Sequence, residues 1–350
     1  MKHNVANSHL VRNGGGAQHR RTQWQTAAHK GVADLLSYAA EPPSDGGPGY
    51  SPITDFYLQY NGQAVSSIVD SQLATMAANG QQRISLPLIF IDGGSANGQC
   101  PYSGTPGPGY GALIDSSSGA IPPNCLSALI SIIQDAYSHG LGVRLRFFPQ
   151  GPNNPQKWTT GVDWTHAIQN LNFIYSVHDA MTSNGLYLDK YDLSNEMMVA
   201  NFPYITQYTS WLWGQYTLKY GNSDTVGFSA SCDNNCVANL SMMPQVYGTT
   251  FPPVFELHIY GNCLDPNQLN AHDAYLNGWN YLQQHGETQG WIIGETCYND
   301  LNTSEQLYAA HETAGNVVFF LQQWPDVNPN DTQTYYAPPL LYSNYHAWGW

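Results

Sequence analysis

The sequence predicts an α/β protein built as a single (β/α)8 barrel, the TIM-barrel architecture, with long loops on one face. Three observations lead there. From about residue 50, eight short β-rich runs alternate with longer segments of helical periodicity, the pattern of βα units and a parallel sheet. A doubly wound sheet would carry a Gly-rich turn between strand and helix, and no GxGxxG occurs. The chain has 350 residues, room for one barrel of roughly 250 residues plus loop insertions.

The elements follow in order. Residues 1–30 are polar and lack the apolar run of a secretory signal, so they are expected to be a disordered or extraneous leader, with the barrel over 31–350. The first strand is expected at Ile53–Tyr60 and the first helix near Val65–Ala78. Strand two, Ile84–Ile91, leads into a Gly-, Pro- and Ser-rich loop over 92–124. A helix over Leu126–His139 stops at Gly140, a usual C-terminal residue. Strand three is Gly142–Phe148, and the next helix, Trp164–Ser183, ends at Asn184-Gly185. Strand four is expected at Tyr187–Ser194, followed by a helix over Tyr204–Lys219. Strands five to eight are expected at Thr225–Ser231, Val254–Tyr260, Trp291–Gly294 and Val317–Gln323, with helices near 270–285 and 304–313. The unit between strands five and six is the weakest, with only a short helix in 232–251.

Composition narrows the function. Charged residues make up only 10% of the chain and aromatics 13%, with 24 Tyr and 10 Trp. Such a surface is solvated by amides, hydroxyls and phenols, which suits sugars: their hydroxyls take hydrogen bonds and their C–H faces stack on rings. A net charge of −14 argues against a nucleic-acid partner, since phosphate binding needs clustered Lys and Arg. No run of 18 apolar residues exists, so no membrane span is expected. The six cysteines, Cys100, Cys125, Cys232, Cys236, Cys263 and Cys297, allow fifteen pairings. Neighbouring cysteines bracket loops, and three disulfides in an oxidising, extracellular compartment are expected. Zinc competes weakly, because the CxxxC at 232–236 has no second pair at metal spacing.

Catalytic groups of such barrels sit at the C-terminal ends of strands. Strand four runs directly into Asn195-Glu196, and strand seven into Glu295. Strand six ends with His258 and Tyr260 on one face, and strand eight with Gln322-Gln323-Trp324. Two carboxyls facing one cavity are what glycosidic cleavage needs: one protonates the leaving oxygen and the other attacks the anomeric carbon. A single Glu after a strand is as readily a cap or a surface residue. Two of them, on strands four and seven beside His258-x-Tyr260, are hard to explain that way.

This constellation resembles clan A of the glycoside hydrolases, and within it the family 5-like cellulases and mannanases. Asn195-Glu196 and Gly294-Glu295 match the clan's acid/base and nucleophile positions, and His258-Ile-Tyr260 looks like a family 5 feature. The resemblance implies Glu196 as acid/base and Glu295 as nucleophile. It also implies that Tyr260 bonds the nucleophile, His258 contacts the acid/base or the sugar, Asn195 binds the 2-hydroxyl, and Trp324 floors the site. Many clan members read Asn-Glu-Pro, whereas Met197 follows here, so a divergent family is implied.

Arg144 and Arg146 share a face of strand three. Arg146 is expected to orient Glu295, and Arg144 to form a buried ion pair with Asp192 on neighbouring strand four. Trp158 and Tyr298 rank first as sugar-stacking platforms. Trp211 and Trp213 sit inside a helix and are expected in the core, and Asp92 is expected to initiate its loop. His258 is the only strand-end His, so no metal and no cofactor are expected. The expected function is retaining hydrolysis, of the endo-β-glycanase type, of a neutral, β-linked polysaccharide or oligosaccharide by a secreted monomer. The competing reading is a catalytically silent sugar-binding barrel.

Overall fold

The computed structural model describes residues 33–35, 51–60, 62–101, 113–200, 202–287, 290–323 and 340–350. Eight strands define the barrel: β1 (Ala33–Leu35), β2 (Arg83–Ile91), β3 (Gly142–Pro149), β4 (Tyr191–Asp192), β5 (Thr225–Gly227, resuming at Ala230–Ser231), β6 (Phe255–His258), β7 (Trp291–Glu295) and β8 (Val318–Gln323). All pair in parallel. One run of hydrogen bonds joins β2, β3, β4 and the first half of β5; another joins the second half of β5 to β6, β7, β8 and β1. β5 passes from one run to the other, β1 lies beside β2, and the molecule is a (β/α)8 barrel.

The helices match the sequence reading closely. α1 (Val65–Ala78) and α3 (Trp164–Ser183) have the expected bounds, and α3 starts at Asp163, whose carboxylate accepts the amides of Thr165 and His166. α2 (Pro123–Ser138) and α4 (Pro203–Tyr220) both begin with Pro at the first helical position. The weak unit after β5 contains two one-turn helices, Cys236–Leu240 and Met243–Tyr247, and α5 (Ala271–Gln284) and α6 (Leu301–Ala314) complete the outer ring. Odd-numbered residues of β3 such as Leu145 and Phe147 pack outward against these helices. Val226, Val254, Ile292 and Phe320 form a separate cluster inside the barrel.

One strand differs from expectation. Ile53–Tyr60 contains a helical turn, Pro52–Asp55, and half of a small hairpin, Gln59–Tyr60 with Gln63–Ala64, while the first barrel strand is Ala33–Leu35. The reason is local. The Ser51 hydroxyl accepts the Ile53 amide and Pro52 occupies the first helical position, a capping arrangement that outweighs the β-branched residues after it. The leader, residues 1–30, lies outside the described residues.

Three disulfides form, Cys100–Cys125, Cys232–Cys236 and Cys263–Cys297, and each involves a loop that follows a barrel strand. Among the described residues no helix is long and apolar enough to cross a membrane.

Asp55 is buried beneath this first segment, and burial raises its carboxyl to about 7 despite a hydrogen bond from the Ser51 amide. The folded state therefore binds this proton more tightly than the unfolded chain, and stability falls as pH rises from 3.8 to about 7. Asp55→Asn is expected to be more stable than the parent at pH 8, by up to ~4 kcal/mol, and nearly equal to it at pH 3.5. Urea denaturation at the two pH values measures this.

Candidate active site

The mouth of the barrel at the C-terminal strand ends is a layer of interlocked polar groups. Arg144 and Arg146 point inward from β3, and each meets a carboxylate. Arg144 makes a bidentate pair with Glu256 of β6, with Nη1 2.7 Å from Oε2 and Nη2 2.6 Å from Oε1, and its Nε donates to Ser85 of β2. Arg146 pairs with Glu295 and donates to Asn195 Oδ1. The expected Arg144–Asp192 pair is thus corrected. Glu256 reaches Arg144 through the barrel interior from β6, three strands away, and Asp192 instead accepts the Ser229 hydroxyl at 2.7 Å. Burial lowers the Arg146 pKa to about 10, and Arg144 beside it adds to the fall. Burial and the Glu256 charge push the Asp192 carboxyl up. Burial acts against ionisation of Glu256 too, but Arg144 and His258 outweigh it and hold that carboxyl well below its usual range.

Glu295 reaches this layer through a bulge. β6 and β7 pair Leu257 with Ile293 but His258 with Glu295, so Gly294 is an extra residue in β7. Ile292 faces the barrel interior and Ile293 the outer helices. Strict alternation would turn Glu295 outward like Ile293, and the extra residue turns it in. Only glycine fits there, because a Cβ on Gly294 would overlap the Glu256 carboxylate. Once inward, Glu295 accepts the Tyr260 hydroxyl at 2.5 Å and lies 3.2 Å from His258 Nδ1.

Glu196 follows β4 and has φ +50, uncommon for a residue with a Cβ and the kind of local strain found at functional sites. Three contacts hold it. Its amide donates to Ser229 Oγ at 2.8 Å, the preceding Asn195 amide donates to Phe147 O, and its carbonyl accepts Gln156 Nε2 at 3.4 Å. Asp192 fixes Ser229 in turn, so Asp192 and Ser229 position Glu196. The Glu196 side chain is 35% exposed and bonds His258 Nδ1 at 2.9 Å. Burial raises its pKa, but the His258 bond and the charges of His258 and Arg146 prevail, leaving the carboxyl below its usual value. Facing oxygens of Glu196 and Glu295 and the ring nitrogen of His258 lie within 4.8 Å of one another. Such a cluster has ligand spacing for a cation, and Arg146 already brings a guanidinium to Glu295.

No family model matches the sequence, and neither does any curated protein. Solved structures do. A glycoside hydrolase family 5 enzyme from Prevotella bryantii bound to a xyloglucan tetradecasaccharide aligns with TM-score 0.59 at 10% identity, over 93% of this chain and 96% of its own. A β-mannanase from the blue mussel Mytilus edulis aligns with TM-score 0.50 at 11% identity, over 91% and 89%. A β-glucosidase aligns with TM-score 0.51 at 10% identity, over 85% and 88%. The fold is that of the family 5-like glycoside hydrolases of clan A.

Within this barrel, the structure brings Asn195, Glu196, His258, Tyr260, Glu295 and Arg146 together. Trp158, expected as a stacking platform, is instead buried: its indole donates to Pro152 O and meets Tyr208 edge-on. Tyr298 is partly buried and its hydroxyl accepts the Leu341 amide, which ties the C-terminal segment to the loop after β7. Trp324 lies outside the described residues. Trp213 is in the core as expected, bonded to Thr250 O, and Trp211 packs on Trp164. Asp92 initiates its loop by accepting the Gly94 amide.

Sequence reasoning missed Glu256, Ser229 and Gly294. The signal for Glu256 was present: it stands two residues before His258, on the same face, opposite two inward arginines. A cavity of about 220 Å³ adjoins the site, with Glu196, His258, Tyr260, Asp233, Leu264 and Gln268 in its lining.

Gly294→Ala is expected to displace the Glu256 carboxylate, break its pair with Arg144, and cost about 3 kcal/mol or more of stability along with most activity. Thermal unfolding and a hydrolysis assay report the two losses.

Proposed function

We propose that this protein is a retaining glycoside hydrolase acting on a neutral, β-linked polysaccharide or oligosaccharide, with Glu295 as nucleophile and Glu196 as acid/base. The observation that carries the reading is the close approach of the two carboxyls, whose facing oxygens lie within 4.8 Å of each other, nearer than a pair that must admit a water between them. Double displacement uses a separation of about 5–5.5 Å, whereas inversion leaves room for a water at about 6.5–9.5 Å. The family 5 neighbours support glycosidase chemistry on this fold.

The roles follow from environment. Glu295 is buried, paired with Arg146 and bonded by Tyr260, an arrangement that keeps a carboxylate ionised and aimed. Its attack on the anomeric carbon forms a glycosyl ester as the bond to the leaving oxygen breaks. Glu196, the more exposed of the two, adjoins the cavity and gives that oxygen its proton. In the second step Glu196 takes a proton from water, whose oxygen attacks the same carbon and releases Glu295. A bound sugar covers the exposed part of Glu196, so the burial contribution grows and favours the protonated acid that the first step needs. Asn195 keeps its amide Nδ2 as a donor for a sugar hydroxyl while Arg146 holds its oxygen. Among the described residues the cavity lining contains Asp233 and Asp265 and no Lys or Arg, which favours neutral over acidic sugars. The three disulfides fit an extracellular site of action. Endo action on a β-glycan is the mode that the clan resemblance implies.

Glu295→Gln is expected to lower kcat by about 10⁴-fold or more while oligosaccharide binding persists. Glu196→Ala should accumulate the glycosyl-enzyme and regain turnover with azide, giving a glycosyl azide of retained configuration. An azide of inverted configuration would refute the assignment. His258→Gln should raise the Glu196 pKa, because burial then dominates. The basic limb of kcat/KM, set by loss of the acid's proton, is expected to move to higher pH, as a pH–rate profile would record.

A further inference from the structure

The cavity beside the catalytic carboxyls is bordered by Glu196 and, among the described residues, not by Glu295, and its volume of about 220 Å³ suits a single sugar ring. The acid/base reaches the departing oxygen, whereas the nucleophile lies against the anomeric carbon of the sugar that stays. A cavity that touches only the first of them is on the side of the departing unit. We propose that it seats the leaving-group sugar, and that Asp233, Gln268 and Leu264 set a preference for a sugar over an aryl group in that place. The inference rests on Glu196 being the acid/base.

Two loops form the walls, and both are held before any sugar arrives. The loop after β5 is closed by Cys232–Cys236, and the loop after β6 is tied to the one after β7 by Cys263–Cys297. Asn234 joins the walls. Its backbone N–H donates to Gln268 Oε1 at 3.2 Å, its Nδ2 donates to Asn267 O at 3.2 Å, and its Oδ1 accepts the Leu269 amide at 3.0 Å. A backbone N–H can only donate, so Gln268 must turn its oxygen to Asn234, which leaves Nε2 and its two hydrogens for a ligand. Asp233 uses one oxygen on its own turn, accepting the Asn235 amide at 2.7 Å, and keeps Oδ2 as an acceptor. Sugar hydroxyls both donate and accept, so an amide donor on one wall and a carboxylate acceptor on the other suit the same ring. Leu264, 72% exposed at the rim, adds an apolar surface for a C–H face. An aryl group offers Asp233 and Gln268 no hydroxyl. With the walls already ordered, little of the polar contact energy is offset by fixing the loops.

The test compares two substrates with the same glycone, one releasing a sugar and one releasing dinitrophenol. The first is whichever of cellotriose, mannotriose and xylotriose the parent cleaves best. Asp233→Asn and Gln268→Glu are each expected to lower kcat/KM about 10- to 30-fold on the oligosaccharide and under about 3-fold on the dinitrophenyl glycoside. Gln268→Glu keeps the oxygen that Asn234 needs and removes only the donor, and both side chains are part exposed, so both variants are expected to fold. The two substitutions change the local charge in opposite directions. A loss common to both is therefore one of recognition, not of an altered Glu196 pKa. Equal losses on the two substrates, or no loss on the oligosaccharide, would overturn the proposal. Leu264→Ser, at an exposed position, is expected to show the same preference for the aryl substrate with a smaller loss, about 3- to 5-fold on the oligosaccharide. Glu196→Ala on the same substrates keeps the readings apart, because dinitrophenol departs without a proton. If it loses no more on the oligosaccharide than on the aryl glycoside, the acid/base assignment has failed and this inference falls with it. If it does lose more, while Asp233→Asn and Gln268→Glu do not discriminate, the assignment stands and this inference alone has failed.

Discussion

Arg144 and Arg146, side by side on one face of β3, create a problem that the rest of the barrel mouth resolves. Two guanidinium groups sealed from water repel each other and lose hydration that a protein interior cannot replace with apolar packing. Each needs an anion at hydrogen-bonding distance. Glu256 answers the first and Glu295 the second, and both come from strands on the far side of the barrel. The requirement ties β3 to β6 and β7 across the interior, where apolar contact alone would not fix the angular setting of the strands. Asp192 contributes a third negative charge to the layer, and Ser229 turns it into a hydrogen-bonded support for Glu196.

The barrel's apolar packing and its polar mouth have different tasks. Val226, Val254, Ile292 and Phe320 fill the interior, and Phe320 also presents its ring to Arg83 and Arg144, softening the change from apolar to charged layers. Above that level, side chains are set by charge pairing and hydrogen-bond direction. Backbone irregularities appear where the change occurs: positive φ at Glu196 and at Gly227, and the extra residue at Gly294. Each breaks the alternation of a strand and re-aims a side chain. Regular strands would have left Glu295 facing the helices.

Much of this was legible in the sequence. α1 and α3 have the bounds that periodicity and capping residues give, because both signals are local. The position of Glu196 and Glu295 at the barrel mouth was legible because a residue following a strand in this architecture lies there whatever the strand's register. The first strand was misplaced because three residues, Ala33–Leu35, are too few to show alternation, while the β-branched residues near 53 mimic a strand. Trp158 was misjudged because position after a strand does not reveal which way a ring turns. The partner of Arg144 was also out of reach. Neighbouring strand four offered Asp192, but the true partner depends on how the sheet closes, which no pairwise spacing encodes. Gly294 could be recognised only once the bulge and the Glu256 carboxylate were both in view.

The interlocking of the mouth bears on how such a chain can diverge. Arg144, Glu256 and Gly294 form a set in which each member is acceptable only with the other two: the glycine leaves room for the carboxylate, and the carboxylate balances the guanidinium. A change at any one of them strands a charge or forces an overlap, so viable sequences are separated by steps of two or three simultaneous substitutions. In the loops after the strands the described linkage of this kind is the pairing of cysteines, and exposed positions away from the three disulfides can vary one residue at a time. Loop sequence can therefore drift across related chains while the charge layer beneath stays frozen, a separation of rates that originates in desolvation.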